Sequence, residues 1–270
     1  MNKKYLELTK LIRSKQNDHE ILKCLSNYHE NDIADILTVM TPKERKRIYT
    51  LLGPQKIAEI FAYLDEPQIY FAELSIKDAA KVVSLMDSDD AVDVLETLDD
   101  KTKYEIVENL DKAAIKDVKM LLSYDDDEIG SCMTTNYICI PKGLSVRQAM
   151  SELIRQAGTN DNISTIYVLD ESLKFAGAID LKDLIIAREH DVLDDIIVHS
   201  YPSVTDHEKI DECMEKIMDY SEDSIPVLSQ DGHMLGVITS EDIVEMVNNE
   251  MGEDLSLIHI SEPTRLRRIS

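Results

Sequence analysis

Tryptophan is absent from this 270-residue chain, phenylalanine occurs three times, and aromatic residues make up 5% of it. Its cores are therefore expected to be aliphatic, built from Leu, Ile, Val, Met and Ala. Cysteine is scarcer still. Cys24, Cys132, Cys139 and Cys213 stand far apart with no C-x-x-C pair. Neither a zinc site nor a disulfide framework is indicated, and a reduced cytosolic compartment fits. No run of about 18 apolar residues occurs, so no membrane-spanning helix is expected. The first residues, MNKKYLELTK, lack the apolar centre of a signal peptide.

Basic residues are outnumbered, 29 against 53 acidic, for a net charge of −24. Such a surface repels nucleic-acid phosphates and anionic lipid headgroups, and it attracts cations. An apolar content of 43% is ordinary for a folded protein, so the charge does not signal disorder. The sequence also lacks G-x-x-x-x-G-K-S/T, H-E-x-x-H and G-x-S-x-G, and it does not read as an enzyme. His190, His199, His207 and His233 show no ligand spacing and read as surface or loop residues. Asp125-Asp126-Asp127-Glu128 lacks EF-hand spacing and reads as a solvated junction.

What is present falls into two halves. In the first, apolar residues recur at i, i+3, i+4 and i+7 in DIADILTVM from Asp32, KIAEIFAYLD from Lys56, DAAKVVSLMD from Asp78 and DAVDVLETLD from Asp90. That spacing marks helices with one buried face. ERKRIYTLL from Glu44 and YEIVENLD from Tyr104 fall between them. Thr41-Pro42 and Gly53-Pro54 place proline at or near a first helical turn, while Asp65-Glu66-Pro67 and Asp87-Ser88-Asp89 offer caps. Helices this short cannot each bury a stripe alone. The expectation is an α-solenoid of stacked helix pairs over residues 1–130.

After Tyr124-Asp125-Asp126-Asp127 the pattern changes. Strands are expected at 136–141, 164–170 and 174–180, with helices at 145–157 and 181–187. The same order returns: a short strand in 200–204, a helix at 209–220, strands at 224–229 and 233–239, and a closing helix at 240–251. Two β-α-β-β-α units of about 60 residues are therefore read as an internal repeat, the fold class being α plus α/β.

This half resembles a tandem pair of CBS domains, at 131–196 and 197–254. The residues that carry the resemblance are Ser224-Ile225-Pro226-Val227, Gly236-Val237-Ile238-Thr239 and Glu241-Asp242. The first copy has Ile166-Tyr167-Val168, Gly177-Ala178-Ile179 and Asp183 in the matching places. An acidic helical domain, then Gly130-Ser131-Cys132-Met133-Thr134, then two such modules, resembles the cytosolic half of MgtE-type magnesium channels over nearly all of residues 20–254. Such channels continue into a membrane pore.

The resemblance implies a homodimeric magnesium sensor. It would close as ions bind between the helical and CBS domains, and so gate a pore that this chain does not contain. Carried over by position, the magnesium ligands would be Glu59, Asp89, Asp93, Asp211, Asp242, Glu245, Glu250 and Glu253. Lys209 and Ser221 stand where the family has further acids, which alters the expected ion count. Asp89 and Asp93 lie one helical turn apart on one face. Magnesium is a hard ion that takes oxygen ligands and keeps several waters, so scattered carboxylates suit it. ATP is a second implied ligand, near Lys182, Asp183 and Thr239. Two rivals stand beside this: a nucleotide-binding CBS module without ion sensing, and an acidic helical docking platform for another protein. Residues 255–270 include the basic run Arg265-Leu266-Arg267-Arg268 and read as a non-native tail.

Overall fold

The computed structural model describes residues 9, 12–13, 18–220, 222–240 and 242–244. The chain divides into two compact units, Met1–Ser123 and Tyr124–Ser270. Among the described residues no helix is long and apolar enough to cross a membrane.

The first unit is helical: α1 (Asp18–Leu25), α2 (Glu30–Thr38), α3 (Pro42–Phe61), α4 (Pro67–Phe71), α5 (Ile76–Val83), α6 (Ser88–Glu96), α7 (Asp100–Val107) and α8 (Ala114–Leu121). The helices marked by periodicity bury the marked face, such as Ile33, Ile36 and Leu37 on α2 and Ala91, Val94 and Leu95 on α6. Helices pack on neighbours two places along, α3 on α5, α5 on α7 and α6 on α8. Many of the starts are set by caps. Thr41 and Glu44 form a reciprocal capping box, Ser75 accepts the Asp78 amide, and Asp99 accepts the Thr102 amide. Glu66 takes the N-cap of α4 with Pro67 behind it, but its side chain makes no capping bond. The two helical runs expected around Gly53-Pro54 are both present, abutting within α3. Gly53 breaks them with φ 78°, a conformation that costs an L side chain dearly.

A polar group locks this unit's centre. Arg45 is buried, with Nε 3.1 Å from both carboxylate oxygens of Glu73. Its Nη1 donates to the Met40 carbonyl at 2.6 Å and the Leu37 carbonyl at 3.2 Å, the open end of α2. The Tyr49 hydroxyl donates to Glu73 at 3.1 Å, and the Tyr70 ring lies 5.1 Å from the guanidinium.

The second unit holds two three-stranded sheets, β1 (Ile138–Pro141), β2 (Thr165–Leu169), β3 (Phe175–Asp180), and β4 (Val204–Thr205), β5 (Ser224–Leu228), β6 (Met234–Thr239). In each, the first strand runs parallel to the second and the second antiparallel to the third. The helices α9 (Val146–Gln156), α10 (Leu181–Ile186) and α11 (Ile210–Tyr220) complete the pattern, with Ser145 capping α9. The copies share even a register shift, at Val168/Leu169 and Val227/Leu228. The expected strand within 200–204 is confined to Val204–Thr205. Of the expected closing helix, 242–244 are helical and 245–251 lie outside the described residues. The core of the first copy is aliphatic, including Ile138, Ile140, Leu153, Ile166, Val168 and Ile179.

Gly177 pairs with Val168 and Gly236 with Val227, the same place in both copies. A Cβ on Gly177 would sit 2.7 Å from the Val198 carbonyl, and one on Gly236 would sit 2.7 Å from the Thr134 carbonyl. These glycines admit the connecting segments: Val198 bridges to Ala178, and Thr134 bridges to Val237. The segment entering the first copy is thus sewn onto the second copy's last strand. The copies are tied further by Tyr167, whose hydroxyl lies 2.6 Å from Ser224 Oγ.

Candidate functional site

The anticipated acidic positions fall in several places. Glu59 lies on the second run of α3, where its carboxylate pairs with Lys56 at 2.7 Å and lies 3.5 Å from Gln55. Lys56 also pairs with Glu30, and that hydrogen bond holds the Glu30 carboxyl below its ordinary range. Glu59 is therefore partly neutralised by its own helix. Asp89 and Asp93 sit on α6, four residues apart. Asp89 is half-buried in the first turn, and Asp93 is exposed. Asp89 lies within reach of that helix's positive end, which favours an anion there.

In the second unit, Asp211 is exposed in the first turn of α11. Asp242 is committed to local structure. Its Oδ2 accepts from both the Thr239 amide and the Thr239 hydroxyl at 2.7 Å, while its own amide lies 3.3 Å from that hydroxyl. Thr239 and Asp242 thus form the reciprocal cap of the closing helix. Glu245, Glu250 and Glu253 lie outside the described residues. Among the described residues, no three His, Cys, Asp or Glu side chains converge as a ready-made metal cage. The described candidates are carboxylates that face solvent at least in part, a chemistry that suits a hydrated magnesium held partly through water.

Lys182 and Asp183 open α10, where Asp180 caps the helix by accepting the Lys182 amide at 2.6 Å. Lys182 is exposed, and Asp183 lines a cavity of about 480 Å³ with Asp191, Asp195, Ile186, Ile196 and Ile197. Its lining mixes apolar side chains with three carboxylates. Thr239 is on the other copy, at the end of β6.

One cluster is opaque in the sequence. Asp127 is exposed as expected but pairs with a remote lysine, whereas Glu128, expected to be solvated, is largely shielded against a remote histidine. Glu128 Oε1 lies 3.0 Å from His207 Nδ1, and Asp127 Oδ1 accepts from Lys209 at 2.6 Å. Asp125 and Asp126 are exposed, as a solvated junction requires. Partners about 80 residues apart leave no periodic trace, so spacing could not have found them.

Residues 28–127 match the family described as the MgtE intracellular N domain, and 128–190 and 193–249 each match the CBS domain. The chain is 33% identical to the magnesium transporter MgtE of Enterococcus faecalis over 262 residues, 95% of this chain and 57% of that protein. It is 29% identical to the magnesium transporter MgtE of Bacillus subtilis, over 83% of this chain and 50% of that one. The chain thus spans about half the length of the curated relatives it matches. Among solved structures it resembles the soluble part of a magnesium transporter, with a TM-score of 0.87 and 28% identity over 92% of this chain and 98% of that one. It also shares its fold with the cytosolic domain of the Mg2+ channel MgtE solved in complex with ATP. There the TM-score is 0.79 at 24% identity, over 89% of this chain and 99% of that one.

Proposed function

Because the chain belongs to the MgtE family, as an MgtE intracellular N domain followed by a CBS domain pair, we propose that it is a magnesium-sensing regulatory part of a magnesium channel or transporter, acting at the cytoplasmic face of a membrane. One observation carries this reading: the match to a magnesium transporter runs through both units in order, over 95% of the chain. The role is regulatory rather than catalytic, and its partners are a second copy of the chain and a pore domain.

Several features support the reading physically. A net charge of −24 makes the ion-free state self-repelling. A divalent cation held by carboxylates relieves that repulsion. It shifts the population toward whichever state binds it more tightly. Of the described candidates, Asp93 and Asp211 are exposed and Asp89 is half-buried, while Glu59 pairs with Lys56 and Asp242 caps its helix. Small-angle scattering across a magnesium titration tests the proposal. The radius of gyration should fall and saturate with magnesium, and a profile identical at zero and saturating magnesium would overturn it.

ATP is the second ligand proposed, at Lys182, Asp183 and Thr239. The cavity beside Asp183 has the volume of a small-molecule site. Its lining includes Asp183, Asp191 and Asp195, so a bare triphosphate would be repelled and a magnesium-neutralised one favoured. Calorimetric titration of ATP with and without magnesium tests this. Equal binding in both would contradict it.

A further inference from the structure

The second unit opens with a segment that is stitched to the start of α11. The Ile129 amide donates to the Glu208 carbonyl and the Gly130 amide to the Asp206 carbonyl, both at 2.9 Å. The Ile210 amide donates back to the Asp127 carbonyl at 3.0 Å, and Glu128 and Lys209 form an antiparallel bridge. Gly130 is required there. A Cβ would lie 2.8 Å from the Tyr124 ring and 2.9 Å from the Asp206 carbonyl.

His207 stands at the middle of this seam. Its Nδ1 is 3.0 Å from Glu128 Oε1, and its Nε2 is 3.8 Å from Asp206 Oδ2. The Tyr124 hydroxyl donates to the same Asp206 oxygen at 3.1 Å, and the Tyr124 ring meets the imidazole edge-on at 5.4 Å. The groups facing His207 are Tyr124, Asp125 and Glu128 from the incoming segment, and Asp206 from its own loop. The cation beside them, Lys209, is paired with Asp127.

We propose that His207 is a protonation-controlled clasp that holds the Tyr124–Ile129 segment against the loop leading into α11. A neutral imidazole has one N–H, so it can donate to Glu128 or face Asp206 favourably, but not both. The imidazolium donates to Glu128, turns a second N–H toward Asp206 3.8 Å away, and adds a positive charge among three carboxylates. The clasp is therefore tight when His207 is charged and slack when it is neutral.

The direction in pH follows. The hydrogen bond to Glu128, reinforced by the Asp206 charge, holds the His207 pKa above its ordinary 6.5. A group raised on folding contributes fully below its unfolded value and loses that contribution as pH rises through its folded value. On the acid side, the Asp125 amide and His207 hold Glu128 below its ordinary 4.5. Its contribution is complete above 4.5 and is lost only as pH falls through that lowered value. The clasp thus works in mildly acidic to neutral solution and opens toward alkaline pH. His207 is half exposed, so salt weakens the effect. Opening frees the Tyr124–Ile129 segment from that loop. This inference does not depend on magnesium.

The test uses the full chain without magnesium. NMR follows the His207 imidazole through a pH titration, and hydrogen exchange follows the Ile129, Gly130 and Ile210 amides, corrected for intrinsic rates. Amides of β5 and β6 report that the fold is intact. The midpoint should lie above 6.5, and protection of the three amides should fall across that same interval. Glu128→Gln should bring the midpoint back toward 6.5, and His207→Gln should abolish the step while β5 and β6 stay protected. A midpoint at or below 6.5, flat protection through the titration, or an unchanged step in His207→Gln would each overturn the clasp.

Discussion

The two units reach stability by different routes. The helical unit centres on a buried charge pair, Arg45–Glu73, that closes the carbonyl end of one helix. The CBS unit has no comparable ion pair among its described residues. Its ordering devices are an aliphatic core and two glycines that let connecting segments lie against strand edges. Short helices end often and leave many carbonyls to satisfy, so polar closure pays there. Sheets satisfy their own backbone, so close approach becomes the limiting requirement.

Substitutions can break this contrast from either side. The largest expected effect is in the helical unit. Glu73→Ala leaves Arg45 charged and buried without its partner, at a cost of about 4 kcal/mol. The loss should appear in denaturant melts of helical circular dichroism, with β5 and β6 amide protection unchanged. Gly177→Ala should cost about 3 kcal/mol in the CBS unit. It adds a positive-φ strain at 148° to the collision with Val198. Gly236→Ala has the collision alone, and about 2 kcal/mol is expected. Equal losses at the two glycines would show that backbone strain contributes nothing.

The smallest effect is a pH dependence of the helical unit. The Arg13 hydrogen bond and the Thr41 amide hold the Glu44 carboxyl down at about 2. Its contribution is complete above the ordinary 4.5 and is lost as pH falls through about 2. Glu44→Gln keeps part of the cap and should cost under about 1 kcal/mol. It should also flatten acid unfolding of the helical unit between pH 4.5 and 2, which thermal melts at a series of pH values would reveal.

Much of the architecture was open to reading from the chain. Gly53-Pro54 marked the break inside α3, and both copies of the strand and helix order followed from alternation and turn residues. Contacts between remote residues were not legible. By residue type Arg45 and Glu73 look like solvated charges, and nothing local to Thr134 announces that it pairs with Val237. The candidate site is similarly divided. Asp89 and Asp93 show their common face through spacing. Thr239 and Asp242 are marked out by the family resemblance alone, and the structure gives the carboxylate to a helix cap that spacing places one residue later, at Ser240. Glu128 and His207 carried no signal, because each looks like an ordinary polar loop residue until the fold joins them.

Substitution can separate the proposed sensing by particular carboxylates from an effect of net charge. Asp89→Asn with Asp93→Asn should be compared with Glu171→Gln plus Asp231→Asn, which removes the same charge from exposed positions of the CBS unit. Small-angle scattering of both variants through a magnesium titration is the direct measurement. The control should keep the parent midpoint while the α6 variant needs at least several-fold more magnesium or stops responding. Superimposable titrations of the two variants would contradict it.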